Sequence, residues 1–395
     1  MSKLIAFLKQ RWLWEAGAVC VAITIMAFYA WRLSTMQGMV VNRQPLFGDY
    51  IAFWSAGKLA LAGHADQVHN TQALFAQHKV AIPHLTVVAP WNSPPTWLLV
   101  CAVFAVLPYP AAAIAFLIFS AVIYFIAARK ILPDARALLF AATLPAAVYE
   151  IGSVQVGIII AGMAGLAILW MDKRPIAAGA LMGLLTFKPH LAVLWPVLLI
   201  LSGRWKAFAS AAGSAIVFAL TAGLVFGFDS YLRFLDNLRY AYSLFTDTKV
   251  SVRTFASLYG DLRGLHTPHW LALALHSANA AAAFVLACWV FWKGDRTSQG
   301  VALCAATMML SPYLFFYDSA ILGLAAALLW PPRNKLEALA VVAGWAAGLT
   351  VALGAFAPIP VCPIAAWILL GAALQRTGFR QKESEAPHLA PALGT

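Results

Sequence analysis

Charged and amide side chains that could bind or transform a ligand stand in short breaks between long apolar runs of this 395-residue sequence. Asp49, the first acidic residue after Glu15, opens the stretch "GDYIAFWSAGKLALAG". Ionisable groups at membrane depth are costly, and they usually face a cavity or a partner. The other members of this set are Asn92, Glu150, Gln155, Lys188, His190, Arg253 and Asp318. Acids and bases gathered on one side of a membrane favour a pocket for an anionic lipid head group.

Asp49 has two compatible roles at this point. It directly precedes a predicted helix, where an aspartate caps free backbone N–H groups and favours the helix dipole. It is also a carboxylate that can accept a proton during a reaction. Local spacing alone favours the cap.

The elements that must position these residues are membrane helices. The chain is 62% hydrophobic and 11% charged, with a mean hydropathy of +0.79, and a soluble domain carries about twice that charged fraction. The apolar residues come in blocks of roughly 15–22, the pattern of a polytopic membrane protein. The blocks do not alternate apolar and polar residues, which favours helices over a barrel. The predicted fold class is therefore an all-α polytopic membrane protein.

The net charge of +12 is better explained by the orientation of the chain in a membrane than by nucleic-acid binding. Lys and Arg are spread over the breaks between apolar blocks, as the positive-inside rule requires, and this pattern argues against a nucleic-acid partner. The five cysteines all lie in apolar segments without a CxxC pair, so they predict buried hydrophobic residues.

Placing every basic cluster in the cytoplasm predicts about 12 transmembrane helices, with a range of 11–13. The predicted spans are 16–31, 111–128, 137–149, 155–171, 175–187, 190–203, 207–227, 269–292, 299–311, 319–331, 337–354 and 361–375. The run 96–107 is too short to cross, so we expect 94–108 to be re-entrant or partial. If it crossed, every downstream orientation would be inverted. Short spans such as 137–149 suggest helices broken around a cavity.

Two segments, 34–93 and 228–268, are too polar to span and form the predicted extracytoplasmic loops. Within the first, 48–63 and 70–82 mix aromatic and polar residues, which predicts amphipathic helices at the membrane surface. Residues 1–376 then form one transmembrane domain, and the polar composition of 377–395 predicts a disordered cytoplasmic tail.

Five motifs, in order, resemble the polyprenyl-phosphate-mannose-dependent glycosyltransferases of family 87. They are "FGDYIAFWSAGKLALAG", "PWNSPPTWLLVCAVFAVLP", "GSVQVGIII", "GLLTFKPHLAVLWPVLL" and "SPYLFFYD", and the similarity covers roughly residues 12–375. The resemblance implies a GT-C-like bundle in the bacterial cytoplasmic membrane with its active site on the periplasmic face. It also implies inverting transfer of a hexose, mannose in these relatives, from a polyprenyl-phosphate sugar donor to a lipid or glycan acceptor.

The resemblance assigns roles to individual residues. Asp49 occupies the position of the family's catalytic base, and Lys188 matches a Lys-Pro pair that suits a donor phosphate. His190 and Arg253 are further phosphate-binding candidates. Sugar or acceptor contacts are expected from Trp54, Asn92, Gln155, Tyr313 and Asp318. Tyr313 departs from the family pattern, which commonly has His there, so a phosphate contact at this position is in doubt.

Each of these residues also has a purely structural alternative. Lys188 could extend its charge from a helix end to the interface, Gln155 could join two helices by hydrogen bonds, and Arg253 could be a solvated loop charge. No metal-ligand cluster or nucleotide motif is present, so no cofactor and no tightly bound metal is expected; loose divalent-cation dependence stays open. A lipid or solute transporter and a non-catalytic scaffold are the alternative functions.

Overall fold

The computed structural model describes residues 36–37, 40–41, 44–132, 135–246, 254–350 and 359–385, together with positions 16, 20, 23 and 27. The first predicted span, 16–31, and Arg253 therefore lie outside the continuously described residues. The described part is helical almost throughout, as the hydropathy pattern predicts. Three two-residue strands, β1 (Met36–Gln37), β2 (Val40–Val41) and β3 (Gln44–Pro45), form a small antiparallel sheet in that order.

The helices follow one another with short breaks. In chain order they are α1 (Tyr50–Leu61), α2 (Thr71–Ala81), α3 (Pro95–Ala105), α4 (Tyr109–Ile131), α5 (Ala135–Thr143), α6 (Pro145–Ser153), α7 (Gly157–Trp170), α8 (Pro175–Leu184), α9 (Pro189–Ala192), α10 (Leu194–Leu201), α11 (Trp205–Phe226), α12 (Asp229–Thr246), α13 (Leu258–Gly264), α14 (His269–Lys293), α15 (Arg296–Leu310), α16 (Ala320–Leu328), α17 (Lys335–Ala346) and α18 (Val361–Glu385). Single 3₁₀ turns at Ala65–Gln67, Leu185–Phe187, Phe316–Ser319 and Ala347–Leu349 supplement them.

The expected count of about 12 spans is not confirmed. Among the described residues, four helical segments are long and apolar enough to cross a membrane: Tyr109–Ile131, Trp205–Phe226, His269–Lys293 and Val361–Gly378. α5 and α6 together make a fifth candidate, bent by 59° between them. The other apolar helices, including α3, are shorter than the roughly 17–25 residues that a straight span needs. The apolar blocks are therefore real, but many are interrupted before they reach membrane length.

α1 corrects a second expectation, because it is a core helix and not a surface helix. Nine of its twelve residues are buried, including Tyr50, Trp54 and Ser55. Its polar residues are satisfied inside the protein: the hydroxyl of Ser55 lies 2.8 Å from Nδ1 of His78 on α2. α2 fits the predicted amphipathic pattern better, because only Leu74 and His78 of this helix are buried.

Close backbone approach joins α8 to α11. A Cβ atom at Gly179 would lie 2.2 Å from the carbonyl oxygen of Ala207, and one at Gly183 would overlap the hydroxyl of Ser214. That same Ser214 hydroxyl donates to the carbonyl of Ala180 at 3.0 Å. A pair of glycines four residues apart with a serine opposite is a typical contact between membrane helices.

Both polar segments in the C-terminal half contain helix. The predicted extracytoplasmic loop 228–268 includes α12 and α13, and its side of the membrane stays a prediction. The polar C-terminal segment begins as helix, since α18 continues to Glu385. Disorder from residue 377 is therefore wrong for 377–385.

Candidate active site

A cavity of about 450 Å³ opens where several helices break. Asp49 precedes α1, Gln155 separates α6 from α7, and Lys188 separates α8 from α9. Six residues predicted for the site line this one cavity: Asp49, Asn92, Gln155, Lys188, His190 and Tyr313. Side chains separated by more than 260 positions along the chain therefore meet at a single place.

Gly48 brings Asp49 to the cavity. The backbone of Gly48 has φ +50, a left-handed conformation that L side chains rarely adopt. A Cβ atom there would lie 2.8 Å from Cα of Ser153 and 3.0 Å from the carbonyl oxygen of Gly152. The turn before α1 can thus pack directly on the end of α6, and this places Asp49 beside Gln155.

The side chain of Asp49 does not cap α1. Asp49 is the N-cap residue, yet its carboxylate makes no capping hydrogen bond with the described residues. Oδ2 instead accepts a hydrogen bond from Nε2 of Gln155 at 2.8 Å. Asp49 is an exposed residue that borders the cavity, and protein atoms crowd around its carboxylate. Burial raises the pKa of Asp49, while the hydrogen bond from Gln155 lowers it.

Gln155 is held by a rigid break in the helix. The residue before it, Val154, has φ 46, and its N–H donates to the carbonyl of Glu150 at 2.8 Å. Oε1 of Glu150 also accepts the N–H of Ile158 at 3.2 Å, so one buried carboxylate ties α6 to the start of α7. Beyond the break, a Cβ atom at Gly157 would lie 2.1 Å from the carbonyl oxygen of Tyr317.

Lys188 and Asp318 form an ion pair on the opposite wall. Nζ of Lys188 contacts Oδ1 of Asp318, and the other oxygen accepts the N–H of Phe315 at 3.0 Å. The Asp318 side chain is 0% exposed, whereas that of Lys188 is 14% exposed and borders the cavity. Nζ also lies 4.6 Å from the ring centre of Tyr317. Asp318 is thus a buried partner of Lys188, and it is not among the described residues that line the cavity.

Three other predicted residues line the same cavity in different ways. His190 is half-buried, and its Nε2 has no hydrogen-bond partner within the described part of the chain. The ring of Tyr313 packs edge-on against Tyr242 and Tyr259. Oδ1 of Asn92 accepts a hydrogen bond from Asn237 of α12 at 3.2 Å.

Trp54 lies elsewhere, because its indole serves helix packing. Nε1 of Trp54 donates to the carbonyl of Leu107 at 2.9 Å, and Lys58 lies 5.3 Å from its ring centre. It is absent from the cavity lining among the described residues. The expected sugar contact therefore has no geometric support at Trp54.

Aromatic walls are the part of the site that sequence reasoning overlooked. Phe187 stacks on Trp97 with ring centres 4.4 Å apart, which fixes the residue directly before Lys188. Phe234 and Leu238 of α12 close another side. Further aromatic lining comes from Phe53, Trp91, Phe315 and Tyr317. A signal was available in "PPTW", "TFKP" and "YLFFYD", where aromatic residues stand next to the polar candidates.

Metal ligands do not cluster in the described part of the chain. No group of three or more His, Cys, Asp or Glu side chains there is arranged to hold an ion. The expectation that the protein needs no tightly bound metal stays a prediction.

Four membrane-length helices, together with a polar cavity that has aromatic walls, are typical of a membrane protein with a ligand site among its shorter helices. The sequence model of glycosyltransferase family 87 matches residues 91–312, more than half of the chain, and the chain belongs to this family. The protein is therefore a membrane glycosyltransferase. The matched segment includes Asn92, Gln155, Lys188 and His190, whereas Asp49 precedes it and Tyr313 and Asp318 follow it. No curated protein and no solved structure matches the chain significantly.

Proposed function

We propose that this protein transfers a hexose, with mannose the first candidate, from a polyprenyl-phosphate donor to a lipid or glycan acceptor at the extracytoplasmic face. The observation that carries the proposal is the pairing of groups in one cavity. A carboxylate that is open to the cavity, Asp49, shares it with a cation, Lys188. Apolar and aromatic walls suit a substrate that joins a sugar to a lipid.

Asp49 acts as the general base. The acceptor hydroxyl gives its proton to the carboxylate as its oxygen attacks the anomeric carbon of the donor sugar. The bond from that carbon to the phosphate oxygen breaks, and polyprenyl phosphate leaves with the electron pair. Attack opposite the leaving group inverts the anomeric configuration. Because phosphate leaves without protonation, the reaction needs no second carboxylic acid.

Lys188 serves the leaving group. An ammonium group has three N–H donors, and Asp318 uses one of them. The remaining donors can meet phosphate oxygens at the cavity edge, where charge accumulates as the bond breaks. His190 borders the same space and is a second candidate donor. Arg253, outside the described residues, stays a prediction for this role.

A transfer assay with purified protein tests the proposal. The protein is reconstituted in vesicles with radiolabelled polyprenyl-phosphate-mannose and a bacterial lipid extract, and labelled products are separated and identified. We expect a new labelled lipid or glycan, absent with Asp49→Asn. Parallel reactions with polyprenyl-phosphate-glucose and with a nucleotide-linked mannose test the sugar and the donor class. Transfer from the nucleotide sugar but not from the lipid phosphate would overturn the donor assignment.

A further inference from the structure

We infer that Gln155 is a positioning residue that holds one oxygen of the Asp49 carboxylate and leaves the other to meet the acceptor hydroxyl. This inference rests on the proposed function and adds a residue to it. The sequence resemblance suggested a sugar or acceptor contact for Gln155, with a hydrogen bond between helices as the alternative. Its amide nitrogen lies 2.8 Å from Oδ2 of Asp49, so one of its two N–H donors is directed at the base.

The chain fixes both partners of this contact. Gln155 is only 8% exposed, and it follows the left-handed residue Val154. The buried carboxylate of Glu150 and the close approach at Gly157 lock the backbone on its other side. Asp49 directly follows Gly48. Because Gly48 has no side chain, the turn before α1 can contact the end of α6. A contact supported from both ends is a preorganised one, because little of it must form during the reaction.

A neutral amide is a suitable group for this task. It donates to the charged form of the carboxylate without supplying a full positive charge. A lysine or arginine in the same place would make the carboxylate a much weaker base. The amide is also not basic near neutral pH, so it cannot compete with Asp49 for the proton of the acceptor hydroxyl.

The test compares three substitutions by the pH dependence of kcat/KM for glycosyl transfer. Gln155→Met keeps the side-chain length and removes the donor, so the acidic limb should move to higher pH by about one unit. Gln155→Glu places a second carboxylate beside Asp49, and the limb should move further in the same direction. Gln155→Asn keeps the amide, but its shorter side chain does not reach Asp49. Its acidic limb should therefore shift as in Gln155→Met.

Other ionisable groups near Asp49 stay the same in all variants. The hydroxyls of Tyr109 and Tyr317 interact with its charge and are neutral over the tested range. Lys188 and His190 share the cavity, and Glu150 lies behind the break. Because none of them is altered, a difference between variants reports the contact between Gln155 and Asp49.

An activity-independent readout separates this inference from the proposed function. Infrared spectra of protein labelled with ¹³C-aspartate follow protonation of Asp49, whose band is assigned by its loss in Asp49→Asn. Gln155→Met should raise the titration midpoint of that band even if the assayed donor is wrong. An unchanged midpoint and an unchanged acidic limb, with a raised KM for the sugar donor, would overturn the inference and make Gln155 a sugar contact.

Discussion

The two walls of the cavity hold their charged groups by opposite means. On one wall, Asp49 is open to the cavity and is held by the neutral amide of Gln155. On the other, Lys188 is held by the fully buried carboxylate of Asp318. A neutral partner keeps a carboxylate basic, whereas an opposite charge offsets the cost of partly burying an ammonium group.

This difference separates a reacting group from a binding group. Asp49 must change its protonation state, so a strong counter-charge would hinder it. Lys188 is proposed to bind phosphate, so an ion pair that holds its ammonium group at the cavity edge helps it. We therefore expect damage to the two walls to affect different quantities: base strength on the Asp49 wall, and both stability and donor binding on the Lys188 wall.

The largest effect on stability is expected from breaking the ion pair. Lys188→Met leaves the buried Asp318 carboxylate without its partner and should lower the free energy of unfolding by about 3–5 kcal/mol. The double variant Lys188→Met/Asp318→Asn should recover most of that loss but not the affinity for the donor. Thermal unfolding and donor titration in detergent measure the two quantities. Recovery of donor affinity in the double variant would show that Lys188 does not bind phosphate.

The next effect concerns Gly48, which sets the position of the base. Gly48→Ala should cost about 1–2 kcal/mol through its left-handed backbone, and the clash with Ser153 should move Asp49 and lower kcat at least about tenfold. Gly63→Ala is the matched control, because Gly63 has φ +80 but no atom within 4 Å of its would-be Cβ. We expect that control to lose stability and keep its kcat. Equal losses of kcat in both variants would contradict the role of Gly48.

His78 tests how α2 supports α1, the helix that follows Asp49. Burial lowers the pKa of His78 to about 4 from its ordinary 6.5, so the folded protein holds it neutral. The unfolded chain takes up a proton below pH 6.5, and the stability contributed by neutral His78 is lost as pH falls from 6.5 towards 4. The free energy of unfolding should fall by about 2 kcal/mol between pH 7 and pH 5 from this residue.

The comparison for His78 is His78→Gln, which does not titrate and keeps hydrogen-bonding capacity towards Ser55. Its unfolding temperature should depend less on pH than that of the unmodified protein. Burial also lowers the pKa of His69 to about 4, and His69 is present in both proteins. The difference between them therefore isolates His78. Parallel pH curves would show that His78 does not couple folding to pH.

The smallest effect is expected at Trp54. Trp54→Phe removes the hydrogen bond to the carbonyl of Leu107 and should cost about 1 kcal/mol of stability. The kcat and the KM for both substrates should stay unchanged, because the side chain does not border the cavity. A raised KM for the sugar donor in Trp54→Phe would show that Trp54 does contact the donor.

The sequence predicted the helical class and most of the polar residues that line the cavity. It could do so because burying a charge in a membrane costs free energy, which restricts the positions of charged residues. It found Asp49, Gln155 and Lys188 as separate candidates. The sequence did not predict how they pair. Gln155 contacts Asp49 at a separation of 106 positions along the chain, and Lys188 contacts Asp318 at a separation of 130. Contacts at such separations depend on how helices pack, which periodicity does not encode.

The span count was not confirmed, and the surface helix at 48–63 was wrong, for a related reason. Hydropathy reports that a segment avoids water, but it does not distinguish lipid from protein interior. α1 carries polar residues and is still buried, because the hydroxyl of Ser55 has a hydrogen-bond partner in His78. Short apolar helices such as α3 satisfy the same pattern as a membrane span without the required length.

The most direct test of the account compares Asp49→Asn with the unmodified protein in vesicles that contain polyprenyl-phosphate-mannose and the acceptor identified from the lipid extract. Asparagine keeps the size of the side chain and a hydrogen-bonding oxygen for Gln155, so folding and donor binding should be nearly unchanged. Loss of the base should lower the rate of transfer by about 10²–10⁴-fold. A rate equal to that of the unmodified protein, with the same product, would contradict the assignment of Asp49 as the catalytic base.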